Sequence, residues 1–503
     1  MEQMSLFDGS KKFVADKPIR LISLFSGYDS QEFALKYLGV EYEHWKTCEW
    51  AVKSIQALKD AHYGNDNTDY SADHSQEFIA HQLFKWEISA NYNEPMTKEQ
   101  IKRLGEQKQR QIYNNIKATH NLVNIQQVSA DRLKIIDRDK YYYLMTYSFP
   151  CQDLSKAGKG KGMAKDSGTR SGMLWEVERI LDECNGNLPQ ILLMENVPDV
   201  IGSKNIEHFA KWLEKLESLG YKCYWRVLNA KDYGIPQNRE RCFMISLLGD
   251  YYYEFPQPIK LEHRLKDLLE DSVDEKYYLS DKMVQYIANN NEKWTGNNDK
   301  SIINRDIAVT INTRVGNTRA DCSDYLCKEL PQNYNLKTKL CNELIASGKV
   351  NENDVIRHSY STSRMNGQMK DIQQNNMCPT LDTRCDCLGI VVNTRNKRQQ
   401  ELANKIDAMK DGQFLDFYNQ ITNDTVSGTI TTRVDASNSS AVYNNYRIRK
   451  LTPKECFRLM SVKDADFEKI AQNQSNASLY HLAGDSIVVN VLMAIFGKLF
   501  DKE

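Results

Sequence analysis

A chain of 503 residues with 26% charged side chains and a formal net charge of -1 can bury a large core in two or three domains, and it is not a generally basic protein. Any polyanion must therefore be met by local basic patches. Met1 to Lys12 has no apolar core of signal-peptide length and no run reads as a membrane span, so a soluble cytoplasmic protein without membrane contact is expected.

The twelve cysteines are scattered, which fits reduced thiols. Six of them (Cys322, Cys327, Cys341, Cys378, Cys385 and Cys387) share one region, yet with no Cys-x-x-Cys pair and no following His at ligand spacing, no metal site is expected.

Residues 1–17 read as a polar tail. Leu21 to Phe25 predicts a short strand that breaks at Ser26-Gly27-Tyr28-Asp29 and enters a helix with Phe33, Ala34, Tyr37 and Leu38 on one face. Asp29 with Glu32 has capping-box spacing, and Gly39 suits the residue after the helix. A strand, a glycine turn and a helix N-terminus open a nucleotide-type βα unit. The second strand, around His44 to Cys48, ends in Glu49-Trp50. That acid is placed to grip ribose hydroxyls and the indole to stack on a purine; a solvated Glu49 and a core Trp50 are the plain alternative.

Residues 60–120 are polar and read as an insertion. Within it, Lys98 to Lys117 predicts one solvated helix whose six cations outnumber Glu99 and Glu106 by four. Asn124-Ile125 opens the next unit. The aromatic run Tyr141 to Tyr147 predicts a buried strand, followed by Ser148-Phe149-Pro150-Cys151-Gln152 and the glycine- and lysine-rich segment 156–162. A thiol there stands where a rigid strand gives way to a basic loop, a placement that suits a nucleophile meeting a polyanion.

A helix with Leu174, Val177, Ile180 and Leu181 on one face follows, then the strand Ile191 to Met194 ending in Glu195-Asn196. Next come a helix burying Phe209, Trp212, Leu213, Leu216 and Leu219 and stopped at Gly220, and strands Tyr224 to Leu228 and Cys242 to Leu248 around Gln237-Asn238-Arg239-Glu240-Arg241. The pattern is doubly wound α/β.

Beyond Tyr251 long helical patterns become scarce. A unit of Thr, aliphatic, any residue, Thr, Arg recurs at Thr310 to Arg314, Thr380 to Arg384 and Thr429 to Arg433. The spacings, 384 - 314 = 70 and 433 - 384 = 49, are too irregular for a solenoid. Duplicated hairpins and arginines turned to phosphates or base edges are equally good readings. Helical texture returns after Tyr446, with Thr452-Pro453 as a helix start and Leu482-Ala483-Gly484-Asp485-Ser486 opening a last apolar helix that packs back on the first domain.

In this order, Phe25-Ser26-Gly27, Glu49-Trp50, Pro150-Cys151-Gln152, Glu195-Asn196-Val197, Gln237-x-Arg239-x-Arg241, Arg449-x-Leu451-Thr452-Pro453-x-Glu455 and Ala483-Gly484-Asp485-Ser486 resemble the motifs of the DNA cytosine C5-methyltransferases, over roughly residues 18–248 and 447–497. The resemblance implies a Rossmann-like, S-adenosylmethionine-dependent methyltransferase domain (18–250, completed by 447–503) with an inserted, mostly β and irregular target-recognition domain (251–446). It implies a cytosine flipped out of duplex DNA, with Cys151 adding to C6, Glu195 at N3 and Asn196 buttressing it. Arg241 would lie at O2, and Arg239 would help to hold the base and phosphate. S-adenosylmethionine would meet Phe25, Ser26, Gly27, Asp29, Glu49, Trp50, Asn124, Ile125, Pro150, Leu174, Asp485 and Ser486. DNA would meet Gln152, Ser155, Lys159, Lys161, Arg170, Gln237, Arg314, Arg384 and Arg433.

Three residues depart from the family pattern, all on the cofactor side. Asp29 replaces a glycine, Asn124 an acid that meets the adenine amino group, and Asp485 an asparagine. A monomer is expected, with a cognate restriction endonuclease as a further partner the family allows. A tRNA cytosine methyltransferase of the same fold and a catalytically weak DNA-binding relative are the competing readings. The nearly two hundred residues between the halves favour duplex DNA, and joint retention of Cys151, Glu195, Arg239 and Arg241 favours activity. A thiol-dependent hydrolase is weaker, since no motif places any of the nine histidines near Cys151.

Overall fold

The computed structural model describes residues 11–150, 163, 165, 170–277 and 451–500, together with the backbones of short strands at 308–309, 325–329, 354–359, 368–373, 388–391, 414–415, 422–423 and 446–450. Two compact units emerge. The first comprises the stretch up to Leu269 and the stretch from Pro453, and the second comprises most of the chain between.

The first unit is built on β1 (Ile19–Leu24), α1 (Ser30–Leu38), β2 (Tyr42–Cys48), α2 (Val52–His62), α3 (Gln76–Lys85), α4 (Lys98–Arg103), α5 (Glu106–Ala118) and β3 (Tyr142–Tyr147). There follow α6 (Leu174–Glu183), β4 (Ile191–Asn196), α7 (Ile206–Ser218), β5 (Tyr221–Asn229), β6 (Glu240–Leu248), α8 (Pro453–Leu459), α9 (Asp464–Ala471), α10 (Asn476–Asp485) and α11 (Val489–Phe500). The six-stranded sheet runs in the order β2-β1-β3-β4-β6-β5. The first four of these are parallel, and β6 runs antiparallel to both β4 and β5. β1 and β4 are buried at every position, as strands covered on both faces must be.

The helices follow the predicted stripes. Leu174, Val177, Ile180 and Leu181 of α6 and Phe209, Trp212 and Leu216 of α7 are buried, while Leu213 and Leu219 are only partly so. α1 starts at Asp29, whose carboxylate accepts from the Glu32 N–H, and stops at Gly39, whose φ of 65° only glycine adopts without strain. The capping box is not closed. Glu32 turns instead to the rings of Tyr42 and His44, 3.2 and 2.9 Å away.

Four expectations are corrected. Part of the polar tail docks: Lys11–Lys12 pairs with Tyr251–Tyr252, and Phe13 is buried edge-on to Tyr142 and Tyr251. The insertion is not one solvated helix. It breaks at Gly105, and Ile101, Ile112, Tyr113 and Ile116 join Ile79, Leu83, Ile88 and Met96 in a second small core. Asn124-Ile125, read as opening a strand–helix unit, begins a 3-10 turn. The last apolar segment is two helices, since Leu482 to Asp485 close α10 and α11 starts at Val489. The stretch Asn476–Phe500 has the length of a membrane span and an 18-residue window of mean hydropathy 1.6, but 67% of that window is buried inside the protein, where α11 packs on α1.

In the second unit the described elements are a 3-10 turn at Glu275–Tyr277 and otherwise strands. Tyr325–Glu329 pairs antiparallel with Tyr446–Lys450, and Asp354–Ser359 pairs with Gln368–Gln373 and Leu388–Val391. Arg314, Arg384 and Arg433 lie outside the described residues.

Candidate active site

The parallel strands β1, β2, β3 and β4 deliver Phe25-Ser26-Gly27, Glu49-Trp50, Phe149-Pro150 and Asn196 to their carboxyl ends, the edge where open α/β sheets bind ligands.

At β1 the chain turns sharply. Phe25 and Gly27 take φ of 57° and 56°, Ser26 N–H donates to Cys48 O, and no atom lies within 4 Å of where a Gly27 Cβ would stand. The buried Ser26 Oγ has no hydrogen-bond partner among the described residues. The Glu49 carboxylate accepts from Gly27 N–H at 3.0 Å and Ala51 N–H at 2.7 Å. Burial pushes its acid up to about 7 against those two donors. Its backbone is clamped by Asn121, which accepts from Glu49 N–H and donates to Glu49 O. No sequence signal marks Asn121. Phe25 and Trp50 are half-buried beside these groups. An open turn, an orphaned hydroxyl and a carboxylate held by backbone N–H groups fit a nucleoside-bearing cofactor.

Other expected cofactor residues fall differently. Asp29 and Leu174 are completely buried, so neither side chain can touch a ligand; Asp29 caps α1 and Leu174 belongs to the core under β3. Ile125 and Ser486 are 6% and 9% exposed, and Pro150 is half-buried. Asn124 holds its 3-10 turn and donates to the Glu87 carboxylate, so an acid reaches this position from the insertion. Asp485 is half exposed, 3.1 Å from His481 Nδ1, and within electrostatic reach of Arg239, Arg241 and Glu195. His481 stacks on Tyr92 at 4.1 Å, another contact with the insertion that the sequence did not announce.

On the other side of the site Glu195, 8% exposed, faces Arg241 with Nε 3.1 Å from Oε1. Burial raises the Glu195 acid, and Arg241 and Arg239 oppose that shift.

Three expectations change here. Asn196 does not buttress Glu195. Its amide donates to Phe149 O at 2.9 Å and so fixes the strand end that leads to Cys151. Arg239, 3% exposed, gives its guanidinium to the carbonyls of Gly484 and Ser486 at 3.0 and 2.6 Å, which ties the last motif to β6 rather than reaching base or phosphate. Gln237 is fully buried with its amide on Leu459 O at 2.8 Å, so it cannot meet DNA. Cys151, Gln152, Ser155, Lys159 and Lys161 lie outside the described residues, as does the side chain of Arg170.

The family model for C-5 cytosine-specific DNA methylases matches residues 98–501. The chain is 29% identical over 496 residues to the type II methyltransferase M2.ScrFI of Lactococcus lactis subsp. cremoris, covering 96% of this chain and 100% of that one. It is 39% identical over 292 residues to the orphan methyltransferase M.SssI of Spiroplasma monobiae, covering 57% of this chain and 73% of that one. Among solved structures, the Entamoeba histolytica methyltransferase EhMeth matches with a TM-score of 0.51 at 12% identity, over 97% of this chain and 99% of that one, a likeness of fold.

Proposed function

Because the chain belongs to the C-5 cytosine-specific DNA methylase family and is thus an enzyme that methylates cytosine in DNA with S-adenosylmethionine, we propose that Cys151, Glu195 and Arg241 carry the reaction at the carboxyl ends of β3, β4 and the start of β6. The observation that supports this assignment is the buried Glu195–Arg241 pair beside a strand end held by Asn196. The cofactor supplies an electrophilic methyl group when bound.

The chain's own residues do the rest. The Cys151 thiolate adds to C6 of a flipped cytosine. Glu195, whose acid burial raises against the pull of Arg241 and Arg239, donates its proton to N3 and draws the ring electrons away from C6. Arg241 stands over O2, where charge grows as the ring loses aromaticity. C5 becomes nucleophilic, and loss of its proton after methyl transfer expels Cys151. Arg239 and Asn196 are positioning residues. The family assignment favours DNA over tRNA as substrate. A monomer in the cytoplasm, with or without a cognate endonuclease, completes this reading. Bisulfite sequencing of DNA from cells expressing the protein tests it, and an unmodified genome would sink it.

On the cofactor side Glu49 takes the ribose, Phe25 and Trp50 flank the adenine, and Glu87 with Asn124 meets the adenine amino group. By calorimetry, Glu49→Ala should weaken S-adenosylmethionine binding by about 1 to 3 kcal/mol, the scale of lost charged hydrogen bonds. Unchanged affinity would show that the ribose lies elsewhere.

The repeated Thr-aliphatic-x-Thr-Arg units are assigned to DNA contact through Arg314, Arg384 and Arg433. An arginine bidentate to guanine should, when replaced by alanine, relax sequence choice at one base pair at a cost of roughly 1 to 3 kcal/mol. One on a phosphate should weaken all sequences alike and flatten the salt dependence. Variants that melt early yet methylate the same sites with the same salt slope would make the repeat architecture only.

A further inference from the structure

Behind the β1–α1 turn four ionisable side chains, from α1 and its cap, β2 and α2, meet out of solvent. His44 of β2 places Nδ1 2.9 Å from Glu32 Oε2 and 4.0 Å from Asp29 Oδ2. His62 of α2 places its Nδ1 3.7 Å from the same Glu32 oxygen. The side chains of His44, His62, Glu32 and Asp29 are 5%, 2%, 7% and 0% exposed. One oxygen or nitrogen from each of Asp29, Glu32 and His44 falls within 4.8 Å of the others.

The tautomers follow from the outer contacts. His44 Nε2 lies 3.2 Å from Thr119 O and His62 Nε2 lies 2.9 Å from Tyr28 O. A carbonyl only accepts, so both Nε2 atoms carry hydrogen, and both Nδ1 lone pairs point inward at one carboxylate. A proton on His44 Nδ1 satisfies the Glu32 contact but leaves a gap. Asp29 Oδ2, on a completely buried side chain, has no hydrogen-bond partner among the described residues, and neither does the buried Tyr63 hydroxyl, whose ring packs edge-on against His44 at 5.0 Å. Buried oxygens are as a rule paired, and a cation is one partner that would satisfy a carboxylate facing two imidazoles. Two carboxylates and two imidazoles match the charge and donor preference of a borderline divalent cation; Asp29, Glu32 and His44 hold ligand atoms within 4.8 Å of one another, and His62 approaches the set through Glu32 at 3.7 Å.

We propose that Asp29, Glu32, His44 and His62 form a structural zinc site that knots α1 and its cap, β2 and α2 together beneath the cofactor turn. The remaining contacts suit ligands held in place. Asp29 Oδ1 is fixed by Ser23 Oγ and Glu32 N–H, and Glu32 Oε1 accepts from Tyr42. The site is separate from the cytosine chemistry, and the departure of Asp29 from glycine becomes the gain of a ligand.

The test uses the full chain purified without chelator. Elemental mass spectrometry should find about one zinc per chain. Chelator treatment should lower the melting temperature, and zinc should restore it. Asp29→Asn keeps the cap acceptor and the neutral volume, so it should fold, yet its zinc content should fall at least about tenfold, as should that of His44→Gln/His62→Gln. Cobalt in the stripped protein should give only visible bands of nitrogen and oxygen ligands. A folded wild-type chain without zinc and without a melting shift on zinc addition would overturn the proposal. So would cobalt bands with the near-ultraviolet intensity of thiolate ligands that persist in Asp29→Asn, because they would place the metal on cysteines.

Discussion

Cys151→Ser should reduce methyl transfer by roughly a thousandfold or more while leaving the melting temperature and S-adenosylmethionine affinity close to wild type. C5 of cytosine is a poor nucleophile until C6 is saturated, and only an anionic nucleophile adds to C6 at a useful rate. A thiol ionises a few pH units above neutrality at most, whereas a serine hydroxyl hardly ionises at all. The neighbouring geometry supports a local effect. Asn196 holds Phe149 O, and Phe149 is buried in the core, so the strand end that carries residue 151 does not depend on the sulfur for its position. Tritiated methyl transfer in single turnover, beside a melting curve, checks both halves. A folded serine variant with near-normal transfer would remove Cys151 from the mechanism.

The sheet was legible because parallel strands buried on both faces leave short apolar runs, and α6 and α7 because their apolar residues recur at helical spacing. The site was legible only as a set of motifs at strand ends. What the motifs hid is which side chains look outward. Arg239 and Gln237 sit in a segment that resembles a base-binding strip, yet both are buried and bonded to the carbonyls of Gly484, Ser486 and Leu459, more than two hundred residues away. Local pattern carries no information on such long-range partners. The insertion was misread for the opposite reason. Its apolar residues are few and diluted by charge, but they converge from three short helices, and that convergence is a tertiary fact. The meeting of His44 and His62 on Glu32 is the same kind of fact.

Glu195 and Arg241 should reveal themselves through pH. Burial raises the Glu195 acid above the ordinary carboxylate value, and the Arg241 guanidinium at 3.1 Å pulls it back. The group works in its protonated form, as donor to N3, so the rate should fall as pH rises through this raised value. The reaction needs the Cys151 thiolate as well, whose population grows with pH, so the two requirements together give a bell. Glu195→Gln keeps the shape and a hydrogen-bond donor but cannot transfer a proton. Its single-turnover rate should drop by about a hundredfold to ten-thousandfold with DNA binding nearly intact, and its alkaline limb should vanish. Arg241→Met removes the cation that opposes protonation. The Glu195 acid must then rise further, so the limb that reports it should move to higher pH even as the rate falls for want of a partner at O2. The two variants thus separate charge from chemistry. An Arg241→Met profile with both limbs where the wild type has them would mean that Glu195 is not a titrating acid, and the roles drawn here for β4 and β6 would have to be exchanged for others.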